Sequence, residues 1–274
     1  MQLNIPENIL NTPERYTLTI RVHPEQYSFS LYSLLEGGSF FYQPILQGKD
    51  ISPLKCFQQF FFENDWLSLP YRQVKVINHS YCFTFVPSLI FKEQDKQQYL
   101  DFNFSEYEGK ILTQSLHQPD LTLIHVLPQV AYDFFQRTFV KVEYLHHLSP
   151  QVAYCWNKNR TNNANKVYAN IQLDSLDILV FSHNQFLLGN SFNIQGGDDY
   201  LYYLLLIWKQ FELDQSRDFL YVAGGESDLH ISRIRRLQKF IHNVAPLNLI
   251  PEGYLLHAIS SMPFDMASIV LCEL

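Results

Sequence analysis

No two cysteines in this 274-residue chain are spaced as C-x-x-C; the four that occur, Cys56, Cys82, Cys155 and Cys272, are scattered. Neither a zinc site nor a disulfide framework follows from that spacing, and four reduced, buried thiols are expected. Positive charge is also scarce: 20 Lys and Arg stand against 27 Asp and Glu, giving a net charge of −7 and a pI near 5.8. A protein that wraps nucleic acid over a broad face needs a basic surplus to neutralise phosphates, so no nucleic-acid partner is expected. The opening MQLNIPENIL has no basic head followed by an apolar stretch, and no run approaches the roughly 20 apolar residues of a membrane span. A cytoplasmic protein without membrane insertion is the expectation. G-x-S-x-G, H-E-x-x-H, G-x-G-x-x-G and G-x-x-x-x-G-K-[ST] are absent as well, and "QGKD" at Gly48-Lys49 lacks the rest of a P-loop.

What the chain does have is apolar mass. With 47% hydrophobic and 17% charged residues it reads as globular, with ample core for one large or two small domains. Aromatics reach 15%, including 22 Phe and 17 Tyr, which favours strands and bulky packing over long coiled helices.

One polar stretch interrupts this, "NKNRTNNANK" at 157–166, and it reads as a linker. Cutting there places a first domain over residues 1–160 and a second over 161–274. In the first, "YTLTIRV", "QYSFSLYSL" and "SFFYQPI" alternate as strands, with turn signals at His23-Pro24-Glu25 and Glu36-Gly37-Gly38. A helix "SPLKCFQQFFFENDWL" follows, with Ser52 as N-cap and Pro53 at its first position, and then a strand "RQVKVINH". In the second, "KVYANIQL", "LDILVFSH" and "FLLGNSFNI" read as strands, followed by the helix "DDYLYYLLLIWKQF" and the strand "DFLYVAG". The order strand, strand, strand, helix, strand therefore occurs twice, as a degenerate internal repeat. The helix after Gly197 is apolar nearly all round and is expected to be enclosed. Beyond it, "SDLHISRIRRLQKFI" reads as an amphipathic helix with Ile231, Ile234, Leu237 and Ile241 on one face, and "VAPLNLI" as a last strand. The tail from Pro251 onward has no clear type.

Two mixed α/β domains, each opening with a three-strand antiparallel meander on a mixed sheet, resemble the plan of the actin-like ATPase superfamily, whose domains are ribonuclease H-like. "FNIQGGDDYL" resembles the strand-to-helix turn of heat-shock chaperones, the pilus-assembly protein PilM and the division protein FtsA. "FLYVAGGESD" resembles the later Gly-Gly turn that approaches the adenosine of a bound nucleotide in that superfamily. The whole chain is similar to a family of Bacteroidota proteins for which an actin-like fold is the expectation, and which brings no catalytic residues with it.

The resemblance implies phosphate-binding turns between the first two strands of each domain, where backbone N–H groups reach phosphates and an Asp positions hydrated magnesium. The first such turn reads Val22-His23-Pro24-Glu25-Gln26, with no Gly and with a proline that has no N–H to give. The second reads Leu173-Asp174-Ser175-Leu176-Asp177, which keeps an Asp and a hydroxyl but puts Leu176 where Gly would permit close approach. No catalytic residue and no metal site is therefore assigned, and no cofactor is expected; the alternative is ATP with magnesium. Gly196-Gly197 reads as a turn with acidic capping by Asp198 and Asp199, which would repel a phosphate. Candidate ligand-binding residues are Asp174, Ser175, Gly224, Gly225 and Glu226. A nuclease assembled from Asp174, Asp177, Asp198 and Asp199 lacks a central Asp on the first strand of each half. His146-His147 reads as loop surface before Ser149-Pro150. Arg233, Arg235, Arg236 and Lys239 form the one basic cluster, a candidate surface for another protein. The leading expectation is a catalytically degenerate actin-like protein that binds or scaffolds another protein; the rival is an atypical nucleotide-binding ATPase or phosphotransferase.

Overall fold

A computed structural model describes residues 5–24, 26–34, 40–45, 52–159, 164–224, 227–249, 259 and 262–273. The chain packs into two compact units, Met1–Pro150 with Glu252–Leu274, and Gln151–Pro251.

The first unit opens with α1 (Glu7–Asn11) and the strands β1 (Thr17–Val22), β2 (Tyr27–Tyr32) and β3 (Phe40–Ile45), followed by α2 (Pro53–Glu63) and β4 (Gln73–Asn78). Ser52 holds the N-cap position of α2 but its hydroxyl makes no capping bond; Pro53 fixes the first turn. An antiparallel three-strand sheet then interrupts the plan: β5 (Phe83–Pro87), α3 (Lys96–Asp101), β6 (Lys110–His117) and β7 (Asp120–Leu127), in strand order β5-β7-β6. It carries its own small core of Val86, Leu100, Ile124 and Val126. The chain returns through α4 (Gln129–Thr138) to β8 (Val142–His146), completing a five-strand sheet in the order β3-β2-β1-β4-β8. β1, β2 and β3 pair antiparallel, whereas β1, β4 and β8 run parallel.

Alternation decides what each face of this sheet buries. Leu18, Ile20, Phe29, Leu31, Val74 and Val76 enter an aromatic core with Phe57, Phe135 and Trp66, where the rings of Phe29 and Trp66 lie 4.9 Å apart and those of Phe57 and Phe135 5.8 Å apart. Such tilted pairs add to the area they bury, and here much of the chain's aromatic excess is spent. The opposite face, with Thr17, Thr19, Arg21, Ser28 and Ser30, is buried as well. It meets α8 (Phe264–Glu273), in the tail that carried no pattern of its own: Asp265 pairs with Arg21 at 2.6 Å, and the Ser28 hydroxyl donates to Met266 Sδ at 3.5 Å.

α5 (Leu148–Asn159) contains the division between units, so the expected linker at 157–166 overlaps the end of this helix and the first residue of the next strand. The second unit orders β9 (Lys166–Ile171), β10 (Ser175–Ser182), β11 (Gln185–Asn193), β12 (Phe219–Ala223) and β13 (Asn243–Pro246) as β11-β10-β9-β12-β13. β9, β10 and β11 pair antiparallel, and β9, β12 and β13 parallel, which is the arrangement of the first sheet. α6 (Asp199–Gln210) and α7 (Asp228–Leu237) contribute to one core with this sheet.

Two helix expectations need correction. α6 is not enclosed: Tyr200, Leu204, Ile207 and Trp208 are buried, while Tyr202 is 64% and Leu206 42% exposed, so apolar residues cover both its packed and its open side. On α7 the expected Ile234 and Leu237 are buried, as is Ile241 beyond its end, but His230 rather than Ile231 begins the buried stripe and Ile231 faces outward. No disulfide joins the cysteines, but only Cys155 is buried; Cys56 and Cys82 are half-buried and Cys272 is exposed. The turn at Glu36-Gly37-Gly38 lies outside the described residues.

Candidate functional site

In open α/β sheets, ligands gather outside the carboxyl ends of the parallel strands. In the second unit those ends carry the candidates from the sequence. Asp174 and Ser175 lie in the β9–β10 hairpin, closed by the Gln172 N–H donating to Ser175 O at 2.9 Å. Asp174 is half-buried, and its carbonyl accepts from the Ile194 N–H at 2.9 Å. Ser175 is fully buried as the first residue of β10, and its hydroxyl has no hydrogen-bond partner among the described residues. Arg233, from α7, reaches across to this turn and donates to Ile171 O at 2.8 Å and Gln172 O at 3.0 Å, with its guanidinium over the Tyr200 ring.

Gly224 follows the last residue of β12, with φ of +150°, and a Cβ there would lie 2.5 Å from His230 Nδ1. Ser227 caps α7 by accepting the His230 N–H at 3.2 Å, which fixes that ring under the glycine. Burial, and then the Arg233 charge, hold the His230 pKa below its ordinary value. Gly224→Ala is expected to cost about 1–3 kcal/mol through backbone strain and displacement of the imidazole. Urea unfolding checks this, and a wild-type midpoint would show that the turn has room to adjust. Gly225 and Glu226 lie outside the described residues. Asp174, Ser175 and Gly224 are thus brought to one edge of one sheet, with Arg233 bridging strand and helix.

The Gly196-Gly197 turn already holds an anion of its own. Asp199 Oδ2 accepts from the backbone N–H groups of Gln195 and Gly196, each at 2.8 Å, and these bonds hold its carboxyl below the usual range. Asp198 pairs with Arg236. Asp177 is buried and accepts from Ser191 Oγ at 2.6 Å and from the side-chain amides of Asn170 and Gln151, both at 3.0 Å. Of the four aspartates considered for a nuclease, the carboxylates of Asp177, Asp198 and Asp199 are therefore each committed to different partners.

The basic cluster on α7 and just beyond its end divides in the same way. Arg233 is bound to backbone carbonyls and Arg236 to Asp198, while Arg235 and Lys239 are exposed and form no ion pair among the described residues.

In the first unit the corresponding turn is closed. His23 N–H donates to Gln26 O at 3.0 Å and Gln26 N–H to His23 O at 3.2 Å, so both donors are used inside the hairpin. His23 is buried, and it begins a row. His23, His79 and His147 follow the last residues of β1, β4 and β8, three adjacent parallel strands, and the ladder continues through them: His79 N–H donates to Val22 O at 2.8 Å and His147 N–H to Asn78 O at 3.0 Å. Ring centroids lie 4.4 Å apart for His23 and His79, and 3.9 Å for His79 and His147, which stack. His146 adjoins at 4.3 Å from His147, and His125 of β7 at 5.3 Å from His146. All five are buried. The expectation that His146-His147 is loop surface is overturned, because three strands end level with one another and the row is covered.

The outer two rings are neutral for identifiable reasons. His146 Nδ1 accepts from the Leu148 N–H at 3.3 Å, so its Nε2–H donates to Ser80 O at 3.0 Å. Asn78 Nδ2 donates to Val126 O at 2.8 Å and lies 3.0 Å from His125 Nδ1, which makes Nδ1 the acceptor and leaves the proton on Nε2. Burial, with the proximity of the His147 imidazole second, lowers the His125 pKa to about 3, and the same two causes place His146 well below its ordinary value. A buried imidazole row, with His125 and His146 neutral, therefore lies along this strand edge. Alternation gave no sign of it; the legible signal was a histidine closing each of "RVH", "VINH" and "YLHH".

Paired sheets of this order, each opening with an antiparallel meander, define an actin-like ATPase fold. A solved structure from Bacteroides thetaiotaomicron, described as a protein with actin-like ATPase fold and unknown function, is similar at a TM-score of 0.82 and 27% identity, over 99% of this chain and 100% of that one. The PilM-PilN type IV pilus biogenesis complex shares the fold at a TM-score of 0.54 and 12% identity, over 95% of this chain and 98% of that one. No curated protein matches. Residues 6–244 match the family described as Protein of unknown function (DUF3822), and the chain belongs to that family.

Proposed function

We propose that this chain is a catalytically degenerate actin-like protein that binds or scaffolds another protein in the bacterial cytoplasm. The observation that supports the reading is that the first expected phosphate turn, His23–Gln26, bonds to itself, while at the Gly-Gly turn the Asp199 carboxylate takes the Gln195 and Gly196 amides. Among proteins of similar fold, PilM is found in a complex with PilN, and a comparable role is the reading for this chain. Arg235 and Lys239 are the exposed cations we assign to the partner surface, with Arg233 and Arg236 positioning α7. Among the described residues no helix is long and apolar enough to cross a membrane.

A second reading is supported by one feature, the buried Ser175 hydroxyl without a partner beside Asp174 and Gly224, which suits an atypical ATP and magnesium site extending to Gly225 and Glu226. A thermal melt with and without Mg-ATP separates the two. Ligand at one hundred times its dissociation constant adds about 2.7 kcal/mol to the native state, enough to move the midpoint by several degrees. No movement up to millimolar nucleotide is expected. A reproducible shift lost in Asp174→Ala, together with ATP turnover by a protein that isolates without a stoichiometric partner, would overturn the binding role.

A further inference from the structure

The inserted sheet of the first unit has β5 at one edge. In the order β5-β7-β6, β5 pairs with β7 and with no other strand among the described residues. Beside it α3 builds a groove of about 500 Å³, with Val86, Pro87 and Ile90 on one side and Tyr99, Phe102 and Asn103 on the other. The two walls are tied together. The Tyr99 hydroxyl donates to Ile90 O at 2.8 Å, and Asn103 Nδ2 donates to Tyr99 O at 3.0 Å. A groove shaped in advance loses little freedom when it binds.

Apolar side chains stand out of it. Leu100 is buried in the small core of this sheet and Phe104 packs against that core, so Phe102, between them and just past the end of α3, turns outward and is 90% exposed. Ile90 is 58% exposed and its neighbour Leu89 93%. Single exposed apolar residues are ordinary, but Ile90 and Phe102 line one concave surface with Leu89 beside it, which is the mark of an interaction site.

Charge selects the occupant. No charged residue lines the groove among the described residues. The segment between β5 and β6, which forms the helical wall, carries Glu93, Asp95, Asp101, Glu106 and Glu108 against Lys92 and Lys96, and Lys96 is already paired with Glu93 at 2.5 Å. A second copy of the chain would bring a surface of like charge against this one, which disfavours self-association there; a basic partner would be attracted.

We infer that this groove docks a basic segment of another protein, one that sets a Leu or Phe side chain against Phe102 and Tyr99 with Lys or Arg on both flanks. The inference rests on the protein-binding reading and adds to it a surface on the first unit that shares no residue with α7.

Fluorescence anisotropy of the labelled peptide GKKLFKKG against the full chain tests it, with GEELFEEG and GKKAAKKG as comparisons. Saturable binding of GKKLFKKG below about 1 mM is expected, with both comparisons about tenfold weaker or more. Phe102→Ala changes an exposed side chain, so it should leave the urea midpoint in place while weakening binding about tenfold. Glu106→Gln with Glu108→Gln should weaken binding about threefold at low salt, an effect that high salt removes. Failure here is separable from failure of the protein-binding reading, because the Mg-ATP melt reports on the second unit and the peptide titration on the first. No saturable binding of GKKLFKKG, equal affinity in wild type and Phe102→Ala, GEELFEEG binding as tightly, or a dimer in sedimentation that Phe102→Ala dissociates would each overturn the proposal.

Discussion

Asp265→Ala is expected to destabilise the first unit by about 3–5 kcal/mol, the cost of removing one partner from a buried ion pair. Arg21 and Asp265 meet at 2.6 Å with side chains 5% and 1% exposed, so solvent does not screen the charge that remains. The carboxylate also accepts the Met266 N–H through Oδ1 at 2.9 Å, which links the ion pair to the start of α8. A midpoint lowered by on the order of ten degrees is the expected reading for a protein of this size. The double variant Arg21→Met, Asp265→Leu should recover much of the loss, because replacing both charges by apolar groups of similar volume removes the desolvation penalty along with the attraction. A single variant that melts within a degree of wild type would show that α8 is held by its apolar residues alone.

That ion pair also shows where sequence reading stops. Its partners stand 244 residues apart, and nothing local to "FDMASIVLCE" says which sheet it will cover. The meanders were legible because alternation is a local property: "YTLTIRV" and "KVYANIQL" end within two residues of the observed strands. The inserted sheet of β5, β6 and β7 escaped because a strand pattern does not state which sheet it joins. Side-chain duties were the least legible. Arg233 sits in a basic cluster by sequence, but it serves the backbone carbonyls of Ile171 and Gln172 at the end of β9. Ile231 and His230 are neighbours on α7, and the choice of which is buried belongs to the Gly224 turn that the imidazole fills. The histidine row needed three strands to end in register, a fact held by no single segment. In the Gly-Gly turn the expectation of acidic capping by Asp198 and Asp199 is met in part: Asp199 binds the Gln195 and Gly196 amides within four residues, whereas Asp198 makes no capping bond and pairs with Arg236.

Stability is expected to fall steeply as the pH drops below about 6.5, where histidines of the unfolded chain begin to take up protons. His125 in the folded protein titrates at about 3 and His146 lies well below its ordinary value, so between those limits the unfolded state binds more protons than the folded one. The contribution of a group with a depressed folded pKa of this kind is complete above about 6.5 and is lost as the pH falls, by about 1.4 kcal/mol per pH unit for each imidazole. Two such groups give about 2.7 kcal/mol per pH unit, or roughly 4 kcal/mol between pH 7 and 5, before most carboxylates start to protonate. The slope depends on the difference in protons bound rather than on how far the folded pKa has moved. Its cause is geometric: a proton placed on His146 would face His147 at 4.3 Å and His125 at 5.3 Å, with one carbonyl, that of Ser80, to stabilise it. Urea unfolding at pH 7.5, 6.5 and 5.5 measures the slope. His125→Gln keeps an acceptor for Asn78 but cannot titrate, and it should reduce the slope by about half. Stability independent of pH over this range would mean that the row opens to water or shares its protons, and an unchanged slope in His125→Gln would shift the effect to His146 and its stacked neighbours.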